Sequence, residues 1–317
     1  MADRLSSPPA EIPDTAYAYY MRPDGARLRY AVMEPQGTPR GTFLIVQGRR
    51  EFIEKKYLEA GLDLLARGYR IILFDSRGQG LSSRLLDGAR YQYDHLTDFG
   101  IQVRDLSAFY HDVVKPRQSG PLFLLTHSMG GLIAAHWLAE HPEDAAGIKA
   151  MILTAPAFMI GVPSLSLPIS RVLTKLGRNE HYAAGQHDYG GGDGRFANNL
   201  LSHDSNRFSV IEKYFSANPT LKVGGVTWGW LVTTLNAMKQ LRQPGYLERI
   251  TMPTLALFGG QDIVTPSAKI IPLVRRMPLA EIVTIRGAWH DLLNEADAYR
   301  DQAWRHIDGF LKRVNRG

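Results

Sequence analysis

The sequence predicts an α/β fold: a mostly parallel central sheet flanked by helices, with a mainly helical segment inserted late in the chain. Three observations carry this expectation. Short runs such as Thr42–Val46, Arg70–Phe74 and Ala150–Thr154 are almost continuously apolar, as strands buried on both faces are. Stretches of helical apolar spacing alternate with them, as crossovers between parallel strands require. The alternation breaks at about residue 158 and resumes after about residue 245.

Taken in order, residues 28–33 alternate and residues 41–47 are apolar, with the turn-forming run Glu34-Pro35-Gln36-Gly37-Thr38-Pro39 between them. This reads as the antiparallel opening of a mixed sheet. Leu58, Leu62 and Leu65 keep helical spacing up to Gly68, a helix stop, and Arg70–Phe74 follows as a buried strand. Phe99, Val103, Leu106, Tyr110 and Val113 outline a long amphipathic helix ended by Pro116. A strand over 121–126, a helix running through His136 to Glu140, and the strand Ala150–Thr154 continue the rhythm.

The next stretch holds Pro163, Pro168, Pro219 and Pro244, a loose glycine-rich run over 188–194, and helical patterns near 170–176 and 228–238. Strand patterns return at 254–258 and 281–285, and a helix over 299–314 closes the chain. The expected organisation is one α/β domain made of residues 1–157 and 246–317, with residues 158–245 inserted as a cap.

With 317 residues, 44% hydrophobic and 21% charged, the chain has the balance of a globular enzyme with one large core. It has no cysteine, which excludes disulfides, thiolate metal ligands and a thiol nucleophile. The net charge of +6 comes from basic residues scattered along the chain. That is not the concentrated stripe of a nucleic-acid binder, although it suits weak contact with anionic lipid surfaces or negatively charged substrates. Residues 1–12 lack a signal-peptide apolar core, and no apolar run is long enough to span a bilayer. The expectation is a cytoplasmic protein without an integral membrane segment. Oligomeric state is not legible.

The chemistry concentrates at Thr126-His127-Ser128-Met129-Gly130-Gly131, on a strand-to-helix junction. A serine on that turn projects its hydroxyl above the C-terminal edge of the sheet. Gly130 leaves room for the turn, and Gly131, Ala134 and Ala135 let the helix approach the strands. A serine hydroxyl needs an imidazole to take its proton and a carboxylate to orient that imidazole. Both are expected beyond the resumed strands, in the order serine, acid, histidine. On these residues the sequence resembles the lysophospholipase and monoacylglycerol lipase branch of the α/β-hydrolases, a group catalogued with serine aminopeptidase-like hydrolases. It departs from the usual elbow in having Thr126 at the first glycine position.

The resemblance implies Ser128 as nucleophile, Asp262 in Phe258-Gly259-Gly260-Gln261-Asp262 as orienting acid, and His290 in Gly287-Ala288-Trp289-His290-Asp291 as base. Asp291 is assigned to capping or lining its loop. The oxyanion hole is expected from the backbone N–H groups of Met129 and of Arg49, in the turn Gln47-Gly48-Arg49-Arg50-Glu51, where Gln47 replaces the family's common histidine. Asp75-Ser76-Arg77-Gly78-Gln79-Gly80-Leu81-Ser82 matches a family signature and reads as a tight loop bracing the rim. It is neither a P-loop nor a dinucleotide fingerprint. His127 is expected to shape the elbow; His95 and His203 are candidates to line the site. Trp228, Leu231, Leu235 and Met238 form an apolar stripe suited to packing the cap or walling an acyl chain, with Trp228 and Leu231 as possible substrate contacts.

No histidine and carboxylate cluster has HExxH spacing, and the expected reaction needs no metal or cofactor. The implied substrate is the carboxylic ester of a lysophospholipid or monoacylglycerol. A small-molecule carboxylesterase, an amidase or peptidase, and a non-catalytic binding scaffold remain as alternatives.

Overall fold

A computed structural model describes residues 15–190 and 192–316; the reading of residues 1–12 lies outside them. Strands β1 (Thr15–Met21), β2 (Arg27–Met33), β3 (Thr42–Val46), β4 (Arg70–Phe74), β5 (Leu122–His127), β6 (Ala150–Thr154), β7 (Thr254–Gly259) and β8 (Ala280–Ile285) form one sheet in the order β1-β2-β4-β3-β5-β6-β7-β8. β2 pairs antiparallel with both β1 and β4, and every pair from β4 through β8 is parallel.

The continuous apolar strands follow from burial on both faces. In β5, Leu122 and Leu124 join one core layer and Phe123 and Leu125 the opposite one, as the two-residue side-chain period dictates. The first layer packs against the helices Gly100–Phe109 and Met129–Glu140 through Leu106, Phe109, Leu132 and Trp137. The second packs against helical residues 53–66 and Asp297–Val314 through Leu64, Trp304, Ile307 and Phe310.

Between β6 and β7 the chain forms the helices Ser166–Lys175, Ser205–Ala217 and Trp228–Leu241. Asp204 caps the second by accepting from Asn206 N and Arg207 N, and Thr227 caps the third by accepting from Trp230 N. The sequence reading missed the second helix, although Asp204 followed by Phe208, Ile211 and Phe215 carries its signature. β1 was missed too; its Tyr17 and Tyr19 alternate on an edge strand with partial exposure. Among the described residues, no helix is long and apolar enough to cross a membrane.

Candidate active site

Ser128 lies between β5 and the helix Met129–Glu140 with φ 50° and ψ −118°, a backbone state that costs about 1–3 kcal/mol for a non-glycine residue. Surrounding bonds hold it there. Ser128 N donates to Thr154 O at 3.0 Å, while its own carbonyl accepts from Gly131 N at 3.0 Å and Ala157 N at 2.9 Å. A side chain at Gly130 would force β3 and the elbow apart, because its Cβ would lie 2.1 Å from the Val46 carbonyl oxygen. Thr126 fits the elbow by turning its hydroxyl toward Ile152 O at 3.4 Å, on the neighbouring strand.

The loops after β7 and β8 meet next to this turn. A Cβ on Gly259 would come within 2.1 Å of Trp289 O, so glycine there lets the two loops touch. Nδ1 of His290 is 2.8 Å from Oδ2 of Asp262. Oδ1 of the same carboxylate accepts from the N–H groups of Val264 at 2.8 Å and Thr265 at 3.0 Å. Burial opposes the charge on Asp262, but His290 and Thr265 outweigh it and hold the carboxyl below its usual range. Ser128 and His290 line one cavity of about 770 Å³. Ser128 Oγ makes no hydrogen bond within 3.5 Å among the described residues.

The turn after β3 lies across this cavity. Gly48 N donates to Glu51 Oε2 at 2.5 Å and Arg50 N to Gln79 Oε1 at 2.7 Å. The Arg49 guanidinium turns away onto Asp94, with Nε 2.6 Å from Oδ2. Gln47, in place of histidine, donates to Phe74 O at 2.8 Å. The loop over 75–82 closes around the buried Asp75, which accepts from Ile53 N and Leu81 N, both at 2.9 Å.

Leu231 lines the cavity with Trp230, Thr234 and Met238, but Trp228 and His203 do not. The inward face of this helix runs through 230, 234 and 238, so Trp228 packs at the periphery of the core. His203 is held by Glu295, Nδ1 to Oε1 at 2.8 Å, and stacks on Trp289. His95 is also absent from the wall; it is buried against Thr227 Oγ1 at 2.9 Å. His127 borders the elbow, with Nδ1 3.1 Å from Thr154 Oγ1. Burial, then the Lys56 charge, push it down to about 3, so it stays neutral.

Asp291 lines the cavity, but its carboxylate does not cap the loop. It enters a buried ionic cluster that the sequence reading did not foresee. Lys55 Nζ lies 2.9 Å from Glu51, 2.6 Å from Glu59 and 2.8 Å from Asp291, and Lys56 Nζ lies 2.7 Å from Glu51 and 2.5 Å from Glu59. Glu51, His127 and Asp291 bring potential metal-ligand atoms within 4.8 Å of one another, but the lysine ammoniums already neutralise those carboxylates. The donor set suits lysine, not a metal ion.

Residues 37–297 match the family described as "Serine aminopeptidase, S33". The chain is similar to lysophospholipase L2 of Escherichia coli strain K12, 32% identical over 82% of this chain and 77% of that one. It is also similar to monoglyceride lipase of Rattus norvegicus, 26% identical over 96% and 92% of the two chains. A solved structure of a soluble variant of monoglyceride lipase from Saccharomyces cerevisiae superposes with a TM-score of 0.73 at 20% identity, covering 96% of this chain and 98% of that one. The chain therefore belongs to this α/β-hydrolase family and is a carboxylester hydrolase.

Proposed function

We propose that the protein is a serine esterase that cleaves the carboxylic ester of a lysophospholipid or monoacylglycerol through an acyl-enzyme. The observation that carries this reading is the Ser128 elbow and His290, paired behind with Asp262, opening onto one cavity of about 770 Å³, a size that holds a lipid-like ligand. Leu231, Met238, Phe215, Ile160 and Val264 supply apolar wall for an acyl chain. The names of the similar proteins, lysophospholipase and monoglyceride lipase, support the same substrate class.

Ser128 Oγ attacks the ester carbonyl carbon as Nε2 of His290 takes its proton, and Asp262 holds the ring through Nδ1. The N–H groups of Met129 and Arg49 receive the oxyanion. Collapse breaks the ester bond and expels the alcohol, which takes the proton from His290. Water then attacks the acyl-enzyme with His290 again as base, releasing fatty acid and free Ser128. Residues 158–245 act as the cap, closing over the acyl chain.

Arg50 favours the phospholipid member of the pair. It lines the cavity and its guanidinium meets Gly224 O and Asp193 only at 3.4 Å and 3.6 Å, long contacts that a phosphate could outcompete. The same reading has the enzyme act in the cytoplasm, in weak contact with lipid surfaces. Leu165, Ile169, Val172 and Leu176 are exposed along the helix that carries Arg171 and Lys175, an arrangement suited to an anionic interface.

The test is acyl release from a matched panel of a lysophospholipid, a monoacylglycerol, a short-chain ester and an aminoacyl amide, with Ser128→Ala as control. Lipid turnover lost in the variant is expected. Turnover confined to the short ester or the amide would overturn the lipid assignment, and activity surviving in the variant would remove Ser128 from its role.

A further inference from the structure

Three successive backbone N–H groups of the turn after β3 are treated differently. Those of Gly48 and Arg50 are each taken by a buried side-chain oxygen, from Glu51 and Gln79. The Arg49 N–H between them donates to no group among the described residues. Pinning the outer two fixes the plane of the middle peptide, which is what a preorganised oxyanion donor needs. Arg50 has φ 60°, a strained state for a non-glycine residue. The Gln79 bond to its N–H helps hold it there.

Both anchors are themselves fixed from behind. Glu51 uses its other oxygen, Oε1, for Lys55 at 2.9 Å and Lys56 at 2.7 Å. The same ammonium of Lys55 reaches Asp291 at 2.8 Å, the residue next to His290. Gln79 Nε2 donates to Asp94 Oδ1 at 3.2 Å. The buried cluster thus joins the oxyanion turn to the loop carrying the base.

We infer that Glu51 and Gln79 are positioning residues that aim the Arg49 N–H at the developing oxyanion, with Lys55 and Lys56 fixing which oxygen of Glu51 faces the turn. This rests on the reading of Ser128 as nucleophile and Arg49 N–H as oxyanion donor. Both act through the backbone: Glu51 borders the cavity, but its oxygens are taken by Gly48 N on one side and by Lys55 and Lys56 on the other.

The decisive variants are Glu51→Gln and Glu51→Ala. A neutral residue at 51 leaves Glu59 and Asp291 facing Lys55 and Lys56, two carboxylates to two ammoniums, so neither lysine is stranded. In Glu51→Gln the lysines demand the amide oxygen, which turns the NH2 group toward Gly48 N–H, donor against donor. Glu51→Ala removes the anchor without that clash. The expected kcat loss is roughly 100-fold for Glu51→Gln, with a smaller loss for Glu51→Ala and KM within about threefold in both. A role in packing alone would reverse that order, since alanine leaves the larger void.

Gln79→Leu, which removes the anchor on Arg50 N, provides a second, independent arm. All three variants should lose affinity for a trifluoromethyl ketone, which forms the tetrahedral oxyanion, in step with kcat/KM, while binding of the fatty acid product is unchanged. Equal losses for ketone and product, or a kcat within threefold of wild type in both Glu51→Gln and Gln79→Leu, would overturn the proposal. Ser128→Ala assayed alongside separates the readings: its inactivity with fully active Glu51→Gln and Gln79→Leu rejects the anchors alone, whereas its activity rejects the nucleophile.

Discussion

Thr265 and His290 share one carboxylate oxygen: Thr265 Oγ1 donates to Asp262 Oδ2 at 2.6 Å while His290 Nδ1 lies 2.8 Å from the same atom. The hydroxyl is also 3.3 Å from the ring nitrogen. Asp262→Asn places an amide opposite Nδ1 and favours the wrong imidazole tautomer. The expected loss in kcat is about 10³–10⁴-fold with the fold intact. Thr265→Val, which keeps the shape, should cost about tenfold, the effect of one hydrogen bond to a charged group. Steady-state kinetics with a chromogenic ester check both; a kcat for Asp262→Asn close to wild type would reject the acid's role.

Gly130→Ala and Gly131→Ala separate two kinds of crowding. At position 130 the new Cβ meets backbone, Val46 O at 2.1 Å and Gln47 O at 2.7 Å, so β3 and the elbow must move apart. At 131 it meets Pro156 Cβ at 3.0 Å, a smaller adjustment. Thermal melts should show the first variant destabilised by about 3 kcal/mol or more and inactive, the second by about 1 kcal/mol. Equal melting temperatures would contradict the geometry.

Arg50→Gln tests headgroup recognition. Burial, and the neighbouring Arg49 charge, push the Arg50 guanidinium down to about 10, so it remains charged at neutral pH. The ratio of kcat/KM for lysophospholipid over monoacylglycerol should fall about tenfold, the scale of a charge-assisted hydrogen bond. An unchanged ratio would leave Arg50 with no part in selecting substrate.

Met238→Trp tests the acyl wall. Met238 lines the cavity, and a larger ring there should shift the preferred chain to shorter esters, read as kcat/KM across an acyl-length series. A uniform loss at every length would mean that the chain runs elsewhere.

Asp75 gives a pH prediction. Burial raises its carboxyl to about 7, against the lowering effect of Arg29. Unfolded, the group titrates near about 3.9, so between these values the folded state holds more protons and its stability falls as pH rises. Asp75→Asn mimics the neutral form. The melting temperature of wild type minus that of the variant should therefore decrease from about pH 5 to about pH 8; a flat or rising difference would contradict it.

Much of the fold is written locally. Apolar runs mark the interior strands because β5 and its neighbours need apolar side chains on both faces; Ser128 and Asp262 each follow such a strand, and His290 follows the partly exposed edge strand β8. The edge strand β1 and the helix Ser205–Ala217 were harder to read, since partial exposure dilutes their patterns. Of the stripe on Trp228–Leu241, Leu231 and Met238 line the cavity while Trp228 and Leu235 do not, because a helix with apolar residues on several sides does not declare which one faces inward. The ionic cluster was illegible for another reason. Lys55 and Asp291 stand 236 positions apart, and each alone reads as a solvated surface charge.

By itself, the sequence determined the α/β layering, because that depends on side-chain periodicity, and its resemblance to the α/β-hydrolases implied the order of nucleophile, acid and base at residues that follow strands. Only the tertiary structure decided that Asp291, adjacent to His290, turns into the ionic cluster with Lys55. It also decided that Trp230 and not Trp228 faces the cavity, and that Glu51 and Gln79 bracket the Arg49 N–H. Those outcomes depend on how separate loops approach one another, and such distances are set by packing between elements that no local pattern encodes.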